Sequence, residues 1–330
     1  MNEKQKRQLI TLIMVVALVV LFGATTTSFF TAGNISNLFR GASYLGIVAV
    51  GLTIVIIAGG NNLSTGATVG FVAMLVSRMV DADMPVILCI IIGIAAGAAC
   101  GAVDGLLITK LHLPDFVATL ATNYVYSGMI LAITFRQNNR MVTKALSNQS
   151  FLRLGTGVGD IFYVTIAWLA LVIIVQFILN RTKFGIHVYA VGTNASASRI
   201  SGINVDRVKI LAYTISGLMC GIAAIFLLAY EGAASAKTGE VYTFNAICAT
   251  IIGGAALTGG RGDALGTFLG CIFMQLITNG IYKMNLASEY QTLLVGAAIL
   301  IMSVFNTVYI RYATRKARLQ NTEAQKGGTA

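Results

Sequence analysis

Charge is what this sequence has least of. Aspartate, glutamate, lysine and arginine make up 11% of its 330 residues, where a soluble domain carries about 25%. With 56% hydrophobic residues and a mean hydropathy of +0.80, the chain cannot cover itself with polar surface. Metal-binding spacing is missing as well. The five cysteines (Cys89, Cys100, Cys220, Cys248, Cys271) are scattered through apolar segments without a CxxC pair, so they read as small buried hydrophobes and not as a metal site or disulfide framework. His112 and His187 stand far apart beside basic residues, which fits neither a metal site nor a catalytic one. No GxxxxGK(S/T) phosphate loop occurs, so the chain itself offers no nucleotide site.

What is present is a series of apolar runs near the ~20 residues that cross a bilayer as helix. Leu9–Leu21 and Ile87–Ala99 do not alternate, which sets aside a transmembrane barrel. Lys4, Lys6 and Arg7 precede the first run in the manner of a signal peptide, but no soluble mature chain follows, and an uncleaved first span is the better reading. The expectation is an all-α polytopic membrane protein with ten segments: 8–27, 41–58, 66–80, 86–109, 116–134, 161–180, 208–230, 244–259, 264–282 and 289–310. Residues 41–58 and 66–80 form a short pair, as do 244–259 and 264–282, each pair joined by a glycine-rich break.

Basic residues orient these spans. With both termini cytoplasmic, fifteen of the 23 Lys and Arg fall inside and eight outside, as the positive-inside rule requires. The net charge of +11 is then a topology signal, and no nucleic-acid partner is invoked. The external stretch from Arg136 to Asp160 carries Arg136, Arg140, Lys144 and Arg153 on the disfavoured side. Two readings stand: a solvated loop, or a basic surface that meets an acidic partner outside.

The sharpest local feature is "IIAGGNNLSTGATVG" at 56–70, where Asn61, Asn62, Ser64 and Thr65 interrupt an apolar run between Gly59, Gly60 and Gly66. It has an echo in "IIGGAALTGGRG" at 251–262, with Gly253, Gly254, Gly259 and Gly260. A helix that stops inside the membrane leaves backbone groups that only protein or a water-filled cavity can satisfy. Paired glycine-interrupted segments point to a transporter's binding site or gate. The plainer alternative is a turn at the membrane surface.

Two helices carry polar stripes. Thr119, Thr122, Asn123, Tyr126 and Ser127 share one face, and Gln275, Thr278, Asn279 and Tyr282 another. Such residues should face other helices or water, either lining a pathway or bonding between helices for about 0.6–2 kcal/mol each. Asp104 is the only clear intramembrane carboxylate, which weakens an ion-driven carrier.

In the cytoplasmic loop 181–207, Asn194 suits an N-cap, "ASASRIS" a helix of about two turns, and Gly202 a left-handed terminus. "AVGTNASASRISGINVDRVKILAYTISGLMCGIAAI" resembles the cytoplasmic signature of ABC-transporter permeases of the ribose/monosaccharide, or branched-chain-type, family. The resemblance extends over "LPDFVATLATNYVYSG", "IIGGAALTGGRGDALGTFLG" and the ten-span plan, nearly the whole chain except its tails. At the first break the family commonly reads Gly-Gly-Ile-Asp-Leu-Ser-x-Gly, so Asn62 stands in place of the usual aspartate.

The resemblance implies one transmembrane permease domain over 1–330, with a cytoplasmic N-tail (1–7) and a disordered C-tail (311–330). It implies a bacterial inner-membrane importer of a monosaccharide or similar neutral solute. A second permease chain, identical or homologous, would complete the pathway, and a periplasmic or lipid-anchored binding protein would deliver the solute. No cofactor binds this chain; ATP and Mg would be used by separate ATPase subunits that dock at Gly192, Asn194, Arg199, Ser201 and Gly202. The chain is then no enzyme. The runner-up is a stand-alone secondary carrier. A membrane enzyme is third, because it would need a convergent acid, base or nucleophile that these residues do not offer.

Overall fold

The computed structural model describes residues 3–25, 29–135 and 145–283, together with helical positions at Tyr290, Leu293, Gly296, Ala297 and Leu300. The chain divides into two units, Met1–Leu276 and Ile277–Ala330. Its helices are α1 (Glu3–Thr25), α2 (Ala32–Ile57), α3 (Thr65–Asp81), α4 (Val86–Lys110), α5 (Asp115–Phe135), α6 (Gln149–Leu152), α7 (Tyr163–Arg181), α8 (Lys183–Thr193), α9 (Ala195–Ile200), α10 (Val205–Glu231), α11 (Tyr242–Ile252) and α12 (Ala264–Lys283). Six of these are long and apolar enough to cross a membrane: α2, α4, α5, α7, α10 and α12. The expected tenth segment lies outside the described residues except at isolated positions, and the C-tail lies wholly outside them.

Two expected lengths are corrected. The span read as 41–58 is a 26-residue helix that begins at Ala32, and α12 has 20 residues. Of the four segments read as short, only α3 (17 residues) and α11 (11 residues) are so. The expected span begins at 41, just after Arg40, which it leaves outside. In the fold its guanidinium lies 3.9 Å from the Tyr230 ring centre and 4.7 Å from that of Phe162, so aromatic faces carry the charge and the helix runs through. The described residues 145–162 are not plain loop. They form α6, a 3-10 turn at Arg153–Gly155, and a small hairpin of β1 (Gly157–Val158) and β2 (Ile161–Phe162).

Within the first unit α2 is the buried centre, with Ile47, Val48, Leu52, Ile54 and Ile56 fully enclosed. Its apolar character all round suits a helix that has protein, and not lipid, on every side. Gly46 admits the single tryptophan: a side chain there would overlap the Trp168 indole, whose ring centre is 4.6 Å from that of Phe268. Thr53 Oγ1 lies 2.7 Å from Thr267 Oγ1, joining α2 to α12.

The closest helix pair is α4 with α10. Gly97, Gly101 and Gly105 of α4 meet Gly217, Gly221 and the Ile210 and Tyr213 backbone of α10 with no room for a Cβ. Close backbone approach at small residues is how helices associate where lipid removes the hydrophobic drive. Gly93, Gly97, Gly101 and Gly105 recur every four residues and so share one face of α4.

Candidate functional site

The first break, Ala58–Ser64, separates α2 from α3 and spends its polar side chains on its own backbone. Gly59 holds φ +77°, which a side chain would oppose. Asn62, 2% exposed, accepts from Ser64 N–H at 2.9 Å and lies 2.8 Å from Ser64 Oγ. Ser64 Oγ in turn lies 2.6 Å from Asp104 Oδ2 on α4, so its one hydrogen faces two acceptors. The Asn61 carbonyl accepts from the Tyr213 hydroxyl at 2.8 Å. At the inner ends of α5 and α10, Asp115 pairs with Lys209 at 3.7 Å. Gly66 is not part of the break, a correction to the expected role. It lies in the first turn of α3, where its N–H donates to Thr243 Oγ1 at 3.0 Å and a side chain would collide with that hydroxyl.

The second break, Gly253–Asp263, uses glycine where the first uses amides. Gly254, Gly259, Gly260 and Gly262 all have positive φ, whereas Gly253 ends α11 in helical conformation. The start of α12 is satisfied partly from α7 and partly by the last residue of the break. Gln176 Oε1 on α7 accepts from Ala264 and Leu265 N–H at 3.0 and 3.2 Å, and Asp263 Oδ1 accepts from Gly266 N–H at 2.5 Å. Gln8 Nε2 of α1 donates to the Asp263 carboxylate at 3.0 and 3.2 Å. The Tyr189 hydroxyl of α8 donates to the Gly262 carbonyl at 2.7 Å. The two breaks touch where a Cβ on Gly259 would fall 2.7 Å from Gly59 Cα, and Gly260 N–H donates at 2.8 Å to the carbonyl of Ile57, the last residue of α2.

The stripe on α5 splits into two roles. Thr119 and Thr122 donate to backbone carbonyls of their own helix. Tyr126 donates to the Cys100 carbonyl at 3.1 Å and stacks on Phe71, with ring centres 6.2 Å apart. Tyr126 therefore joins α5 to α4, Thr119 and Thr122 are turned back on their own backbone, and neither Thr119 nor Tyr126 lines the cavity described next. Asn123 and Ser127 instead line a cavity of about 460 Å³ that opens beside the first break. Leu63 and Gly66 form its inner wall, and Thr238, Glu240, Thr243 and Phe244 close the side made by the loop before α11 and its first turn. Asn61, Asn62, Ser64 and Thr65 do not line it. Gln275 lies against α2, where a side chain at Gly41 would come within 2.5 Å of its amide nitrogen. Asn279 belongs to α12 within the second unit.

The helix α9 has the geometry that its residues dictate. Asn194 caps it by accepting from Ala197 N–H at 2.9 Å, Ser201 Oγ bonds the Ala197 carbonyl at 3.0 Å, and Gly202 ends it at φ +84° in open space. Arg199 pairs with Asp206 at 3.1 Å across the solvent-exposed surface. Ile200 is 89% exposed beside them. Sequence reading missed α8, although Thr182 caps it by accepting from Gly185 N–H at 3.2 Å and Val188 and Val191 recur at helical spacing. Gly192 belongs to the last turn of α8, against both breaks. Arg153 is exposed in the external 3-10 turn; Arg136, Arg140 and Lys144 lie outside the described residues. Among the described residues no group of His, Cys, Asp or Glu could hold a metal ion.

The chain was compared with known proteins. A family model described as branched-chain amino acid transport system / permease component matches residues 34–303. The chain is 36% identical over 289 residues to the ribose import permease protein RbsC of Bacillus subtilis, covering 86% of this chain and 88% of that protein. It is 30% identical over 303 residues to RbsC of Escherichia coli, covering 91% and 92%. It is 31% identical over 301 residues to the fructose import permease protein FrcC of Rhizobium meliloti, covering 88% and 82%.

Proposed function

The chain belongs to the family of permease components of the branched-chain amino acid transport type, and we propose that it carries a monosaccharide or similar neutral polar solute into the cell. It is the membrane-spanning subunit of an ATP-driven importer and not itself an enzyme. The observation that carries the solute class is the cavity beside the first break. Asn123, Ser127, Thr238 and Thr243 offer amide and hydroxyl groups, Glu240 adds a carboxylate, and Phe244 and Tyr124 supply apolar faces. Polar groups set among apolar ones suit a small polyol. The relatives are ribose and fructose import permeases, which points the same way.

In this reading the protein sits in the bacterial inner membrane with both termini cytoplasmic, and 1–330 act as one permease domain. An external binding protein delivers the solute, and Arg153, with Arg136, Arg140 and Lys144, contributes to its docking. ATPase subunits dock at α9, with Ile200 as an apolar anchor and Gly202 ending the helix, and they use ATP and Mg. A second permease chain, identical or homologous, completes the pathway.

The test is uptake by vesicles that hold the complete transporter, challenged with a panel of pentoses, hexoses and amino acids. Saturable, ATP-dependent uptake of a sugar, reduced about tenfold by Asn123→Leu, is the expected result, because an unmatched buried hydroxyl costs roughly 1–3 kcal/mol. Uptake of an amino acid with none of any sugar overturns the solute class.

A further inference from the structure

At the last turn of α8, an element outside the six spans meets both helix breaks mainly through main chain. A side chain on Gly192 would overlap the carbonyl of Ile57, the last residue of α2 before the first break, and come within 2.5 Å of Gly260 N of the second. A Cβ on Gly259 would fall 2.6 Å from the Gly192 carbonyl and 2.7 Å from Gly59 Cα. One on Gly260 would fall 3.1 Å from Thr193 Cα. Three chain segments therefore meet at one point with backbone against backbone, the Thr193 hydroxyl being the one side chain that reaches the Gly260 position. Tyr189, one turn earlier, adds its hydrogen bond to the Gly262 carbonyl.

The physical consequence is stiffness. Side-chain contacts absorb small shifts by changing rotamer, whereas backbone in close contact has no such freedom and passes displacement on. Positive φ at Gly59, Gly259, Gly260 and Gly262 places left-handed conformations beside the contact, where glycine can reorient at low cost. The arrangement is thus a rigid contact flanked by soft hinges.

We propose that the turn Tyr189–Thr193 is a mechanical joint through which movement of α8 and α9 displaces both breaks together. The inference rests on the importer reading, and it assigns Gly192 and Tyr189 as positioning residues that act on the breaks without touching solute. Burial and the nearby Asp263 carboxylate push the Tyr189 phenol up to about 12. Its hydroxyl therefore stays a donor throughout the physiological range, and the joint should be insensitive to pH there.

The test uses the complete transporter in lipid nanodiscs, with a reporter cysteine at Leu257→Cys. Leu257 is 54% exposed in the second break, and four of the native cysteines are buried while Cys248 is half-buried. Maleimide labelling is compared without nucleotide and after trapping with ATP and vanadate. The parent should change its labelling rate on trapping. Tyr189→Phe should lose most of that change and transport about fivefold less solute per ATP, with stimulated ATPase activity kept within about twofold, the range expected for one coupling contact. The loss should be the same near pH 6 and pH 9. Gly192→Ala should show a larger loss, and Tyr189→Phe decides the matter if that variant fails to assemble. Labelling and transport per ATP at parent levels in Tyr189→Phe overturn the joint. So does lost ATPase stimulation with transport per ATP intact, which would place Tyr189 in docking alone. A parent whose ATPase ignores the loaded binding protein overturns the importer reading itself, and the joint with it.

Discussion

The two helix breaks solve one problem with different chemistry. Each must satisfy backbone groups freed where a helix stops among apolar neighbours. The first does so with polar side chains: Asn62 takes the Ser64 N–H, Ser64 reaches Asp104, and Tyr213 takes the Asn61 carbonyl. The second has glycines at the bend and borrows its partners from α1, α7 and α8 through Gln8, Gln176 and Tyr189. The first break is therefore braced by its own side chains together with α4 and α10, and the second by α1, α7 and α8. A bend held by local side-chain bonds resists movement; one held by outside partners moves when they do. That difference makes the first break the stiffer of the two and the second the one that shifts further when its outside partners move.

The harshest way to break this contrast is Gly259→Val. The residue needs positive φ and has the Gly192 carbonyl and Gly59 Cα in the space of a side chain. A β-branched residue there should cost about 3 kcal/mol or more from backbone strain and overlap together. Thermal unfolding of the purified protein in detergent should show the loss. A near-parent midpoint would mean that the second break is not confined by its neighbours.

A medium effect should sharpen the first break. Asn62→Asp puts a second carboxylate on the Ser64 hydroxyl that already faces Asp104. Alone it should destabilise, and paired with Asp104→Asn it should recover, because amide and carboxylate have exchanged places. The coupling in a double-mutant cycle should be about 1–2 kcal/mol. Strictly additive effects would dissolve the bridge between α4 and the break.

The smallest effect is expected away from both breaks. Gly202→Ala meets no neighbour and carries only the left-handed conformational cost, roughly 1 kcal/mol, confined to the end of α9. Global unfolding should barely change, while stimulation of the ATPase by the loaded binding protein falls. Full stimulation would remove α9 from the docking surface.

The positions of both breaks were legible because glycine clusters and amides within apolar runs have few other uses. The cap at Asn194 and the terminus at Gly202 were legible for the same local reason. The α5 stripe was only half legible. Successive residues turn by about 100°, so Asn123 and Ser127 fall toward one edge of the stripe and Thr122 and Tyr126 toward the other. Periodicity shows that a polar face exists, but the neighbours on each side decide that one edge lines a cavity and the other bonds to α4. Arg40 misled the reading of α2 because a charge marks a helix end unless aromatic rings receive it, and Phe162 and Tyr230 are remote in sequence.

By itself, then, the sequence determined what short-range chemistry can determine. It set which stretches are apolar enough for lipid, where the helices must bend and which residues cap α9. The tertiary structure alone decided that Ile57, Gly192 and Gly260 share one point, that Gln176 and Gln8 complete the second break, and that Asn123 faces space while Tyr126 does not. The reason is physical. Helix formation and capping are satisfied within a few residues of chain, whereas a buried donor accepts any partner that the fold brings within about 3 Å. Which partner arrives depends on the packing of every helix at once.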